Sequence, residues 1–328
     1  MGGGSGASPP PGVAPGRARA GARGLAGARQ GGTADSSGTL PRFYRRAEVV
    51  AHPEGAGPDG AGAPRGTWGV ALDQKLLRSP GKLPLRFPTR ALAAAVAAEW
   101  QLQGEQNVRP FTMPLMQLVA TAIDRVPAAR GGIVTGLMDY LDTDAALCRE
   151  PAGTPAAVAQ EEGFAPVLAW ARAELGLRPR VSDALTGTPQ EAGTRDRLTE
   201  ALCRLDDLEL VAVDQLAGAC RSLLLALAAT RGAVGVQECL RLARLEEELQ
   251  IEEWGMVEGG HDIDRADAAV RVAGPILLVA LLRGGGAGGG TGGEGGGGGT
   301  ARNLCDLHFF VRGPQPPPGE ERSSRSGR

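Results

Sequence analysis

The chain is poor in aromatic residues, has no paired cysteines and contains no long apolar run. Aromatic residues make up 4% of the 328 residues, and none of the five cysteines forms a C-x-x-C pair. An odd number of scattered cysteines indicates buried free thiols in a reducing compartment and argues against structural zinc. No stretch reaches the roughly 20 apolar residues that span a membrane. We therefore predict no disulfide framework and no stable membrane insertion.

A strong charge of one sign is also missing. The formal net charge is −2, and the first 40 residues contribute four arginines against one acid. Removing that charge of +3 leaves −5 for the rest of the chain, and a mildly acidic body argues against nucleic acid as the main partner. Residues 1–40 are basic and rich in Ser, Ala and Gly, which is typical of an organelle transit peptide. A disordered tail would have the same composition.

Motifs of common enzyme classes are absent as well. There is no P-loop, no G-x-S-x-G, and no G-x-G-x-x-G between a strand and a helix. The glycine run at 284–300 matches such patterns trivially and is typical of flexible coil. The remaining residues, 301–328, are basic and proline-rich after a short apolar patch at 304–311, so we expect residues 284–328 to be a disordered tail.

The hydrophobic period changes along the chain near Thr89. Apolar residues alternate at 68–72 and 83–87, which predicts half-buried strands, with Pro84 on an edge strand. After Thr89 the period becomes 3.6 and predicts eight helices, the sixth of them over 208–228. The sequence therefore predicts an α+β protein. A small antiparallel β domain at 41–88, with a loop insert at 53–66, precedes a larger helical domain at 89–283.

Two short acidic segments are candidates for metal or acid–base chemistry. Asp142 and Asp144 lie two residues apart at a helix end, where they can bind a metal or cap the next turn. Glu258 and His261 have the E-x-x-H spacing of di-iron bundles, but only one such pair is present. With Asp262 beside it, His261 is also a candidate acid–base residue. These residues support an enzyme only as the alternative hypothesis.

The most unusual feature is a helix at about 235–253 with polar groups on its apolar side. On a continuous helix, Leu245, Leu249 and Trp254 share that side, and Arg244 lies opposite. Glu246 and Gln250 fall near its middle, where an unpaired carboxylate costs several kcal/mol. One hypothesis is an internal salt bridge from Glu246, to Arg125 or Arg149. The other is a polar patch on a binding groove. Trp100 and Trp254 are expected to be core aromatics, with an interface role as the alternative.

Several short motifs, in this order and spacing, are similar to one known family. The chain has RFY at 42–44, LDQK at 72–75, EW at 99–100, MPL at 113–115, TAIDR at 121–125 and YLDTD at 140–144. The longest motif, RLEEELQIEEWGMVE, covers residues 244–258. On these motifs, residues 42–282 resemble the mitochondrial ATP synthase assembly factor 2 family.

The resemblance implies a chaperone that uses no cofactor and is not an enzyme. Its implied partner is the free α subunit of the ATP synthase catalytic head, which it would protect from aggregation before pairing with the β subunit. The implied location is the mitochondrial matrix, with the plastid stroma as the alternative. We expect the client-binding residues to be Glu246, Gln250, Glu253, Trp254, Glu258 and Asp262. Other motif residues are expected to be structural: Trp100, Asp124, Arg125, Asp142 and Asp144.

Overall fold

The computed structural model describes residues 38–51, 67–184, 187–255 and 261–284, and it gives only the backbone of His261 and Asp262. Within these ranges, four of the five short antiparallel strands precede ten α-helices, which confirms the α+β class. Most of the predicted transit segment, the loop insert and the glycine-rich tail lie outside the described residues. Among the described helices, none is long and apolar enough to cross a membrane.

The strands form two small sheets near the N-terminal side of the described chain. Strands β2 (Ala47–Ala51), β3 (Trp68–Leu72) and β4 (Lys75–Leu76) form one antiparallel sheet in that order. Strands β1 (Leu40–Pro41) and β5 (Asn107–Val108) form the other. Asp73 and Gln74 join β3 to β4 with positive φ angles of 46° and 70°, the backbone of a tight two-residue hairpin. The predicted strand at 83–87 forms only isolated bridges, at Pro84 and Phe87.

The helices begin at α1, Arg90–Gln101, where Thr89 accepts a hydrogen bond from the Leu92 amide at 3.2 Å, as expected for the N-cap. The others follow in chain order: α2 (Pro114–Asp124), α3 (Val126–Asp139), α4 (Pro155–Leu175), α5 (Ala192–Cys203), α6 (Asp207–Cys220), α7 (Leu223–Thr230), α8 (Val236–Ala243), α9 (Leu245–Trp254) and α10 (His261–Arg283).

Two helices that the sequence predicts as continuous are each divided into two. The first, predicted over 208–228, is divided between α6 and α7 because Arg221 takes the left-handed conformation and Ser222 caps α7. The second, predicted over 235–253, is divided between α8 and α9 at Arg244, whose φ and ψ are −113° and 9°. No glycine or proline marks either break in the sequence, so periodicity alone runs through both.

The core is organised around α6 and α7. Helix α6 packs against α2, α3, α8 and α10, and every residue of α7 is buried. Helix α1 packs against both β2 and β3 on one side and α2 and α10 on the other. Since α10 lies against α6 and both contact α8, these two helices hold α8, whereas α9 packs against α4.

The four described cysteines are free thiols. Cys220 and Cys239 are buried with their sulfur atoms 3.7 Å apart, and Cys148 is partly buried. Cys203 is exposed, so the expectation of buried thiols is wrong there. Cys305 lies outside the described residues.

Candidate functional site

The break at Arg244 sets which side chains of α9 face solvent. Leu245 is the buried anchor of the helix, and Trp254 comes nine residues later, about half a turn out of phase at 100° per residue. The Trp254 side chain is accordingly 75% exposed. The prediction of a core aromatic is therefore wrong for Trp254, because it assumed that α8 and α9 share one helical phase.

The same break buries Arg244, which a continuous helix would place on the solvent side. Arg244 is 6% exposed, and its guanidinium binds Glu247 at 2.9 Å and Glu248 at 3.1 Å. Arg265 of α10 binds the same Glu248 at 2.6 Å. The pKa of Glu248 is lowered, chiefly by its hydrogen bond to Arg265. These ion pairs connect α9 to α10.

An open cleft of about 620 Å³ lies between α9, α10 and the end of α6. Its walls combine apolar and charged side chains of all three helices, and they include two of the residues predicted to bind a client, Gln250 and Trp254. The volume is within the range of ligand pockets, but the mixed and open lining is more typical of a protein–protein contact than of a small-molecule site.

Glu246 is a surface residue with two long contacts. The Gln160 amide of α4 lies 3.4 Å from its carboxylate, and the Arg221 guanidinium lies 3.9 Å away. The internal salt bridge to Arg125 or Arg149 is therefore wrong. Arg149 lies over the Phe164 ring, and Arg125 is exposed between α2 and α3. An exposed pair such as Glu246–Arg221 contributes little to stability.

Other acids near the cleft have no ion-pair partner within the described part of the chain. Glu252 and Glu253 are exposed near the end of α9, and Asp264 is exposed in the first turn of α10, where it lines the cleft. Of the remaining predicted residues, Glu258 and the side chain of Asp262 lie outside the described residues. The structure thus brings Gln250, Glu253 and Trp254 to one end of α9.

Asp142 and Asp144 are engaged in holding the fold. Asp142 accepts hydrogen bonds from the Arg195 guanidinium and, at 3.1 Å, from the Gln190 amide. Asp144 is fully buried and accepts from the backbone amides of Ala146 at 2.9 Å and Leu224 at 3.0 Å. Burial is the main cause that raises the pKa of Asp144.

A metal site is not formed by these two acids. The described residues contain no group of three or more His, Cys, Asp or Glu side chains that could hold a metal ion. The side chains of Glu258 and His261, the other members of the alternative enzyme hypothesis, lie outside the described part of the structure.

Two of the remaining motif residues, Asp124 and Trp100, also make structural contacts, and the structural role expected of Arg125 stays a prediction. Asp124 accepts a hydrogen bond from the Ser79 hydroxyl at 2.5 Å and from the Gly81 amide at 2.8 Å. Trp100 is buried edge-to-face against Tyr44, whose hydroxyl donates to the Trp100 carbonyl at 2.6 Å. Burial raises the pKa of Tyr44 to about 12.

Glu99, the first residue of the EW motif, is a further structural residue, although no individual role was predicted for it from the sequence. Its two carboxylate oxygens each accept a hydrogen bond of 2.8 Å, from the amides of Leu115 and Met116 in the first turn of α2. Burial nevertheless outweighs these bonds and raises the pKa of Glu99 to about 7. Pro114 at the first position of α2 was a signal for this helix start, but only the fold brings α1 against it.

Comparison with known proteins identifies the relatives of this chain. A family model described as "ATP12 chaperone protein" matches residues 41–172. The mitochondrial protein atp12 of Schizosaccharomyces pombe is 26% identical over 220 residues, which are 64% of this chain and 76% of that protein.

Two solved structures match a larger share of this chain than the Schizosaccharomyces pombe protein does. Crystalline Atp12 from Paracoccus denitrificans has 32% identity and a TM-score of 0.65, over 74% of this chain and 98% of that one. The Atu1473 protein of Agrobacterium tumefaciens has 26% identity and a TM-score of 0.65, over 75% of this chain and 87% of that one.

Proposed function

The chain belongs to the ATP12 chaperone family, and from that membership we propose that it assists assembly of the ATP synthase catalytic head. Its client is the free α subunit, which it binds and keeps from aggregating until the β subunit takes its place. It acts without a cofactor and catalyses no reaction. Its location is the mitochondrial matrix, with the plastid stroma as the alternative, since the N-terminal composition fits both transit types.

The client-binding surface is the exposed face of α9 with the adjoining cleft. The observation that supports this best is Trp254, a tryptophan 75% exposed at the rim of the cleft. Tryptophan is enriched among the few residues that dominate binding energy, and a large exposed apolar side chain gains most from a partner. Gln250 and Glu253 lie on the same end of the helix, and Glu258 and Asp262 follow in the sequence.

The charge of this surface suits temporary binding. An unassembled subunit exposes apolar and charged surface meant for its neighbours, and such surface drives aggregation. The contact must also be released, which favours charged rim contacts over a large dry interface. Exposed acids such as Glu246 and Glu253 meet basic side chains of the client, so salt should weaken the complex.

The alternative, a metal- or His-dependent enzyme, has less support. Asp142 and Asp144 are both engaged by neighbours in the fold, and Asp144 is fully buried.

A charge reversal on α9 tests the proposal. We expect full-length Glu253→Lys to associate with purified α subunit about tenfold more slowly than wild type at low salt, because the reversed charge repels basic client residues. The difference should shrink as salt is added. Glu174→Lys, an exposed acid on α4, is the matched control and should behave as wild type. Association rates from surface-immobilised α subunit measure both.

Either of two results would count against the proposal. Absence of any α-subunit binding by the folded wild-type chain would remove the client. Equal rates for Glu253→Lys and Glu174→Lys would keep the client and move the contact away from α9.

A further inference from the structure

The floor of the cleft contains a hydrogen-bond donor that has no acceptor. Arg244 lines the cleft and is nine-tenths buried, and its Nη2 atom has no hydrogen-bond partner within the described residues. The same guanidinium is already bound to Glu247 and Glu248, and Arg265 and Arg221 also contact these acids and Glu246, so three positive and three negative charges balance around it. Because no net positive charge is left to attract a carboxylate, the acceptor that fits is a neutral oxygen such as a peptide carbonyl.

The rim of the cleft favours a segment with aromatic and basic side chains. Trp254 offers an exposed ring, and Glu252, Glu253 and Asp264 carry charges with no ion-pair partner in the described part of the chain. Aromatic pairs contribute about 0.5–1.5 kcal/mol beyond the area that they bury. The occupant that suits all three features is a short peptide with a free carbonyl, an aromatic residue and an arginine.

The chain itself supplies such a segment outside the described residues. Residues 301–312 read ARNLCDLHFFVR and hold two of the six phenylalanines of the protein, Phe309 and Phe310. Arg302 and Arg312 flank the apolar residues, against one acid, Asp306. A segment that is disordered when free can order on binding, so docking is compatible with the composition of the tail.

The tether between the cleft and this segment has a suitable length. Helix α10 passes the cleft at Ala268 and runs on to Gly284, a distance of roughly 24 Å at 1.5 Å per residue. Residues 285–300 are almost all glycine, and a flexible glycine-rich chain of that length has a root-mean-square end-to-end distance of about 20–24 Å. A linker that matches the span gives an effective concentration in the millimolar range.

We propose that residues 301–312 dock in the cleft between α6, α9 and α10 of the same chain, with Phe309 or Phe310 against Trp254 and an arginine facing the unpaired acids. Docking requires no client. If the client uses the same cleft, which rests on the function proposed above, the tail competes with it and makes binding weaker than the open cleft would allow.

A peptide added in trans measures whether the tethered copy occupies the cleft. Fluorescence anisotropy follows a labelled peptide of sequence 301–312 as it binds the full-length wild type and the double variant Phe309→Ser, Phe310→Ser. With a dissociation constant of about 100 µM and an effective concentration of about 1 mM, the wild type should bind the peptide about tenfold more weakly. A matched tail variant, Pro317→Ser, Pro318→Ser, should bind it like the wild type.

Two substitutions in the background of the phenylalanine double variant locate the site. Trp254→Ala should abolish peptide binding, and Leu102→Ala, which removes an equally exposed apolar side chain near the strands, should leave it unchanged. Equal binding by wild type and the phenylalanine variant, no binding by either, or binding that survives Trp254→Ala would each overturn the proposal. Because the assay contains no α subunit, its failure leaves the proposed client untouched, and loss of the client leaves this result standing.

Discussion

The carboxylates that accept backbone hydrogen bonds within the fold differ from the exposed carboxylates at the end of α9 in what they contact. Asp144, Glu99 and Asp124 each accept at least one backbone amide hydrogen bond from a segment far away in the chain. On α9, Glu252 and Glu253 face solvent with no ion pair inside the described ranges. A carboxylate that satisfies buried amides holds the fold, whereas an exposed unpaired one is available to a partner. The same residue type therefore has a structural role in one region and a binding role in the other.

Among these carboxylates, the largest loss of stability on substitution is expected at Asp144. Asp144→Ala leaves the amides of Ala146 and Leu224 without acceptors in the core, so we expect a loss of about 3–5 kcal/mol in the free energy of unfolding. Asp142→Ala, in the same segment but partly exposed, should cost about 1 kcal/mol. Urea unfolding followed by circular dichroism gives both values. Equal losses would show that Asp144 does not hold α7 in place.

A smaller effect, visible as a pH dependence, is expected at Glu99. Because burial raises its pKa from 4.5 to about 7, the folded protein binds a proton that the unfolded chain releases between these values. The stability from Glu99 is therefore complete below about pH 4.5 and is lost as the pH rises through about 7. We expect the stability difference between wild type and Glu99→Gln to fall by about 2–3 kcal/mol from pH 5 to pH 8.

Unfolding midpoints across that pH range provide the test at Glu99. A difference that instead grows with pH would mean that the two amide hydrogen bonds outweigh burial in setting the protonation state of Glu99.

A smaller loss of stability than at Asp144 is expected at Asp124. Asp124→Ala removes the acceptor of Ser79 and Gly81, and we expect a loss of about 1–2 kcal/mol in unfolding free energy. The adjacent Arg125 is exposed, and Arg125→Ala should change stability by no more than about 0.5 kcal/mol. Thermal unfolding of the two variants side by side would reveal an error in this assignment if Arg125→Ala proved the more damaging.

Local patterns in the sequence predicted much of the fold but not the phase of α9. The change from period two to period 3.6 and the Thr89 cap depend on neighbouring residues, and the structure confirms both. The break at Arg244 has no local signal, because arginine and its neighbours are all good helix formers. Because this break was missed, Arg244 was predicted to be exposed and Trp254 to be buried, and the structure shows the reverse.

Tertiary contacts account for the other residues that the sequence could not place. Glu99 accepts a hydrogen bond from the amide of Leu115 in α2. Asp144 accepts one from the amide of Leu224 in α7, which lies 80 residues further along the chain. Helix α7 has no hydrophobic periodicity, since all eight of its residues, Thr230 included, are buried. Gln250 and Glu253 were selected as binding residues from the family resemblance, and their role stays a prediction.

The most direct test of the contrast between the two regions is Trp254→Ala, measured for stability and for α-subunit binding in the same preparation. We predict an unfolding free energy within about 0.5 kcal/mol of wild type, because the side chain is exposed, and an affinity for isolated α subunit at least about tenfold weaker. Leu102→Ala should leave both quantities unchanged. Wild-type affinity in a folded Trp254→Ala protein would contradict the assignment of α9 and its cleft as the client-binding surface.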